Sequence, residues 1–288
     1  MNDATLNLRP VKPDDAAAPI RAIYDDTRHR LRLPWVGALF QGYAMYPAYL
    51  DLAWNAVKDS IETPQFDADA AAIAALADVA AADLYTPSYT ARDIAAMNVD
   101  VYAIQDVIDA FRVGNPRLLL VATALRRAYV EGPAGGANAP WASLPDSADE
   151  TMEDVRVKRA IVEMVDPDAA PERVKRVFDD ITGTLGLPLV NSDYRAMALW
   201  PDYLERAWRD VKGPVGTPAY AEARVQLSRL AAESVDRFAY PVMATRAAAR
   251  NAGVPEDQLD NLAAILRLFA DLLPGLILNV AMFYRAIA

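Results

Sequence analysis

The polar run Asn191-Ser192-Asp193 stands directly ahead of the helix-like stretch YRAMALW, in otherwise apolar surroundings. A carboxylate held in such a setting can take a proton from water, which makes Asp193 a candidate general base. The plainer reading is a helix cap, with a Ser or Asp oxygen accepting N–H bonds from the first turn. Asn115, in FRVGNPRLLL, poses the same choice: an amide aimed into a pocket, or the N-cap of a helix that starts at Pro116. Little else in the chain offers chemistry. There is no cysteine, hence no thiolate, disulfide or Cys-ligated metal, and the lone histidine, His29, sits among Arg28, Arg30 and Arg32. A metal site or a Ser-His-Asp triad is therefore not expected, and His29 reads as a solvated or half-buried side chain.

The elements that must position these residues occur twice. LPLVNSDYRAMALWPDYLERAW, residues 187–208, has an earlier counterpart in LPWVGALFQGYAMYPAYLDLAW, residues 33–54. Sliding the chain on itself aligns residues 11–66 with 165–220 without a gap, and 20 of those 56 positions are identical. Further on, FRVGNPRLLLVATALRRA from Phe111 matches FADLLPGLILNVAMFYRA from Phe269. Where the later copy has Asn191, Ser192 and Asp193, the earlier one has Gly37, Ala38 and Leu39; the counterpart of Asn115 is Leu273. An uncapped helix start is thus tolerable on this scaffold, which favours function over capping for the polar copy.

Periodicity within each copy is helical: Ile20, Ile23, Tyr24 and Leu31 in the first, Val174, Val177, Phe178 and Leu185 in the second. No sustained alternation of apolar and polar residues marks a strand, and Pro and Gly fall at breaks such as GNP, ETP and GTP. The expected fold is all-α, built from two internally duplicated helical units of about 130–140 residues that pack as a pseudo-dimer. The expected division is residues 1–129, a Pro/Gly/Ala-rich linker over 130–155, and residues 156–288. Loops 33–40 and 187–194 should then meet at the interface, with Asp193 opposite Trp35, Ala38 and Leu39.

The 288 residues, 53% apolar and 24% charged, suit a globular protein with a sizeable core. A net charge of −10 argues against nucleic acid, whose binders gather Lys and Arg on one face. The N-terminus has no basic segment followed by an apolar run, so a cytoplasmic location is expected. The apolar C-terminal stretch contains Pro274 and Arg285 and reads as a buried helix, with no membrane partner expected.

Taken in order, LPWVGALFQGYAMYPAYLDLAW, FRVGNPRLLLVATAL, GPAGGAN and NSDYRAMALWP resemble the group I α-haloacid dehalogenases of the DehI type, over nearly the full length. That resemblance implies hydrolysis of 2-haloalkanoic acids, of both enantiomers or of the D form, by direct attack of an Asp-activated water with inversion and without a covalent ester. It implies no cofactor and a small carboxylic acid as partner; a homodimer is compatible with it. Asp193 matches the family's aspartate, Ser192 its neighbouring serine, Trp35 the pocket tryptophan and Asn115 the asparagine of GNP. Ala38 stands where the family has a phenylalanine, Leu118 where it has a tyrosine, and Asn191 where better known members have a small residue. A roomier, less polar pocket is the expectation. Two alternatives are a diverged hydrolase or isomerase using the same aspartate on a non-halogenated acid, and a non-catalytic small-molecule binding protein in which Asp193 and Asn115 are only caps.

Overall fold

The computed structural model describes residues 6–136 and 162–287, and the remaining part of the expected linker lies outside them. Twelve α-helices are found among the described residues, with no strand and a single isolated bridge pair, Ala134 with Val242. Two of them dominate: α6, Val101–Glu131, and α12, Leu259–Ile287. In each, a twelve-residue run is buried on every side, residues 114–125 and 272–283, as an all-round apolar helix requires. These two helices pack along each other and form the core. By length and composition Glu256–Ile287 could cross a membrane, but 83% of its most apolar window is covered by the fold, which makes it a core helix.

Around this pair the flanking elements follow in the same order in both halves. Helices α1 (Ala18–Leu31), α2 (Ala38–Tyr43), α3 (Pro47–Ile61), α4 (Pro64–Leu84) and α5 (Ala91–Ala95) precede α6. Helices α7 (Glu172–Leu185), α8 (Ser192–Met197), α9 (Pro201–Val211), α10 (Pro218–Asp236) and α11 (Arg246–Asn251) precede α12. In α3 the buried face is Tyr49, Leu50, Ala53, Trp54 and Val57; in α9 it is Tyr203, Leu204, Ala207, Trp208 and Val211, one stripe at the 3.6-residue period. The Trp54 indole donates to Asp26 of α1 at 2.7 Å, and the Trp208 indole donates to Asp180 of α7 at 2.8 Å. A buried indole N–H needs such an acceptor, so each tryptophan fixes where its helix sits. Thr63 and Thr217 cap α4 and α10, accepting from Phe66 and Tyr220 N–H at 3.3 and 3.2 Å, with Pro at the first helical position.

The reading of GNP as a break is corrected: α6 runs unbroken through Asn115 and Pro116, and α12 through Leu273 and Pro274. A mid-helix proline removes one hydrogen bond and crowds the preceding turn. Here the buried packing along both helices outweighs that local cost. The expected linker also starts late, since α6 continues to Glu131 and Gly132 then turns the chain at φ 104°.

The packing is crosswise where it matters for a site. The short helix α2 of the first half lies against α12, and the short helix α8 of the second half lies against α6.

Candidate active site

Between α6, α12 and these two short helices is a small cavity of about 20 Å³. Loop 33–40 brings Trp35, Ala38 and Leu39 to it, α6 brings Phe111, Asn115 and Leu118, and the start of α8 brings Asn191, Ser192 and Asp193. Every residue singled out from sequence therefore lines one space. The wall supplied by α12, namely Phe269, Leu272, Leu273 and Leu276, was missed apart from Leu273, noted only as the counterpart of Asn115. Its signal was present in the spacing of three and four, the same stripe as Phe111, Asn115 and Leu118 on α6. What could not be read was which stripe of an all-apolar helix faces the cavity.

Trp35 is held by Phe111, ring centroids 4.3 Å apart, and by the absence of a side chain at Gly114. A Cβ there would come within 2.4 Å of the indole, so the glycine of GNP makes room for the tryptophan. Asn115 is mid-helix and 4% exposed, so the N-cap reading is excluded for it. Its amide Nδ2 is buried with no hydrogen-bond partner.

Asp193 does not cap α8 either. Asn191 occupies the N-cap position without a side-chain capping bond, and Asp193 is the second helical residue. Its Oδ1 accepts the Tyr194 N–H at 3.0 Å, while Oδ2 is buried and unpartnered, as is Asn191 Oδ1. Burial pushes the Asp193 carboxyl up from 3.8 to about 7, against the opposing pull of the Tyr194 N–H and its own N–H. The cavity thus gathers one amide donor and two acceptor oxygens with no bond of their own, and buried polar atoms are ordinarily paired.

Behind Asp193 lies a buried chain of hydrogen bonds. The Tyr194 hydroxyl accepts from Asn279 Nδ2 at 2.8 Å, and Asn279 Oδ1 accepts from the Tyr220 hydroxyl at 2.9 Å. This ties α8 to α10 and α12.

Leu118 lies over the loop, its methyl carbon 3.0 Å from where a Gly37 Cβ would stand, and Phe269, Leu272, Leu273 and Leu276 line the cavity from α12. A volume of about 20 Å³ holds on the order of one water molecule.

The arrangement is a single buried base facing amide and hydroxyl groups in an apolar chamber. Asp193 is the sole ionisable side chain among the lining residues.

The family profile described as "Halocarboxylic acid dehydrogenase DehI" matches residues 34–194. An (R)-2-haloacid dehalogenase of Pseudomonas putida is 31% identical over 285 residues, covering 96% of this chain and 91% of its own. A 2-haloacid dehalogenase of Pseudomonas sp. (strain 113), described as configuration-inverting, is 27% identical, covering 81% and 76%. Among solved structures, a D-2-haloacid dehalogenase mutant superposes with a TM-score of 0.92 at 29% identity, covering 99% of this chain and 97% of that one. A D-2-haloacid dehalogenase in complex with L-LA gives 0.89 at the same identity, covering 99% and 98%.

Proposed function

The chain belongs to the DehI family of haloacid dehalogenases, and on that premise we propose that it hydrolyses 2-haloalkanoic acids to 2-hydroxy acids, with Asp193 as the base that activates water. The observation that carries this reading is the buried Asp193 carboxyl, raised to about 7, with Oδ2 unpartnered in the same cavity as the Asn115 amide. A base with a pKa near the working pH combines a usable ionised fraction with proton affinity.

In the proposed reaction a water held by Asp193 Oδ2 attacks C2 from the side opposite the halogen. The carboxylate takes the water proton, the new C–O bond forms as the carbon–halogen bond breaks, and halide leaves with the bonding pair. C2 inverts. Asn115 and Ser192 offer hydrogen bonds to the substrate carboxylate, and the apolar walls remove bulk water that would otherwise solvate it. An ester of Asp193 would also invert C2 in its first step, so stereochemistry alone does not separate the two routes. The lining does favour direct attack: an ester would consume its sole carboxylate and leave no base to activate the water that hydrolyses it. Because the cavity is smaller than a haloacid, substrate entry requires its walls to part.

Halide release from D- and L-2-chloro and 2-bromo acids tests the reaction. Release at the background rate across the set would overturn it. A single turnover in heavy-oxygen water then tests the route: label in the hydroxy acid is expected, and unlabelled first-turnover product would identify Asp193 as nucleophile.

We further infer that the chain is two units, the first ending with α6 and the second with α12, packed as a pseudo-dimer. The matching Trp–Asp bonds, the paired caps and the crosswise contacts of α2 and α8 support that reading.

A further inference from the structure

Next to the Asp193 cavity, between α7, α10 and α12, lies an open cleft of about 770 Å³. Leu272 and Leu276 line both spaces, so these two side chains form the partition between them. The equivalent positions in the first half are filled, and the aligned sequence explains why. Gly186, Ala221 and Gly275 line it, and their counterparts are Arg32, Asp67 and Arg117. Those three form an ion cluster: Arg32 meets Asp67 at 3.1 Å, Arg117 meets Asp67 at 3.3 Å, and Arg117 also donates to the Leu31 carbonyl. Charged side chains fill in one half what two glycines and an alanine leave hollow in the other.

We propose that this cleft is the vestibule through which the haloacid anion reaches Asp193, with Arg224 and Arg267 receiving its carboxylate before it passes Leu272 and Leu276. The identity of the anion rests on the haloacid reading; the collection of anions does not. Arg224 donates to the Asp271 carbonyl at 2.8 Å, but its Nε is buried and unpartnered. That Nε lies 3.4 Å from where a Gly275 Cβ would stand, and the Tyr220 hydroxyl lies 3.2 Å from it. Glycine here leaves two polar groups side by side on the cleft floor. Arg267 is exposed and forms no ion pair among the described residues, although the Asp271 carboxylate lines the same cleft.

A chain with net charge −10 repels a carboxylate at long range, so a local cationic mouth has a large effect on capture. A second cleft, about 370 Å³, touches the site through Ala38 and Ser192. Its cations are Lys12 and Arg195, but Lys12 is paired with Asp166 at 3.0 Å and Asp168 also lines it. Cation and carboxylate balance there, which disfavours it as a path for an anion.

The chain has no cysteine, so an introduced thiol is the sole one. Ala221→Cys places it in the vestibule and Thr182→Cys in the second cleft. Relative to a free thiol, Ala221→Cys should react at least about threefold faster with a sulfonate-bearing methanethiosulfonate than with a quaternary-ammonium one. The preference should vanish in about 0.5 M salt, where charges are screened beyond a few ångströms, and reverse with Arg267→Glu added. This arm requires no turnover. A bulky maleimide on Ala221→Cys should lower kcat/KM for 2-chloropropionate by at least about tenfold, while the same adduct on Thr182→Cys leaves it within about twofold. Absence of any charge preference would overturn the anion-collecting role, and blockage by the Thr182→Cys adduct alone would overturn the path. Halide release absent from the unmodified protein would overturn the haloacid reading and leave the labelling arm to judge the vestibule.

Discussion

Loop 33–40 with α2 and loop 187–194 with α8 enter the same cavity by the same Leu-Pro turn, yet one presents Trp35, Ala38 and Leu39 and the other Asn191, Ser192 and Asp193. Both helices start without a side-chain cap, at Gly37 and at Asn191. A side-chain cap is therefore not what the polar run supplies at the N-cap position. The contrast continues beneath. Tyr194, Tyr220 and Asn279 are joined by hydrogen bonds, while their counterparts Phe40, Phe66 and Val121 are buried and apolar. The lesson is that the three polar groups behind Asp193 form a connected set. A lone buried hydroxyl or amide would cost about 1–3 kcal/mol, whereas each member of the set satisfies another.

The contrast is broken most severely at its centre. Asp193→Asn keeps the shape and removes the base, so kcat should fall on the order of a hundredfold or more. A folded variant that releases halide at the parental rate would reduce Asp193 to a structural residue. Stability should move the other way. The folded-state pKa of about 7 exceeds the ordinary 3.8, so the folded protein keeps the proton over a window in which the unfolded chain has lost it. Stability is thus lost as pH rises through about 4 to 7, and ionisation costs on the order of 2–4 kcal/mol above it. Denaturant unfolding should show Asp193→Asn stabilised at pH 8 and unchanged at pH 4.

The same ionisation sets the pH profile of activity. Below about 7, kcat/KM should fall about tenfold per pH unit, as protonated Asp193 cannot accept a proton. A flat profile from pH 5 to 8 would remove the base assignment.

Ala38 sharpens the comparison from the apolar side. Ala38→Phe should lower kcat/KM for longer 2-halo acids by roughly tenfold relative to chloropropionate, since each buried methylene contributes about 0.8 kcal/mol when packed. An unchanged substrate ranking in the folded variant would show that Ala38 does not bound the substrate chain.

The smallest expected effect concerns the buried chain behind Asp193. Asn279→Val strands the Tyr194 hydroxyl and should cost about 1–3 kcal/mol in unfolding free energy. Replacing all three residues by their first-half counterparts, Tyr194→Phe, Tyr220→Phe and Asn279→Val, should recover most of that stability, because no partner is left unpaired. A triple variant no more stable than Asn279→Val would mean that the hydroxyls are paired elsewhere.

Much of this was legible without coordinates. Self-similarity in the sequence pointed to Asn191, Ser192 and Asp193 together with Trp35 and Ala38, and these residues line one cavity. It also exposed Asn115 as polar where Leu273 is not. The wall from α12 was hidden, because the central run of α12 is apolar and buried on almost every face and periodicity singles out no side there. GNP misled for a related reason: proline's local preference was read where burial along a 31-residue helix overrides it.

Composition and self-similarity by themselves determined the helical fold, the absence of thiol and disulfide chemistry, and which aspartate is the candidate base. Residue type and period are local properties, so a sequence states them directly. Only the tertiary structure decided that the cavity is small, that Leu118 and three leucines of α12 line it, and that burial lifts Asp193 to about 7. Those are properties of volume and dielectric, set by side chains from four separate elements, and no single segment of the chain contains them.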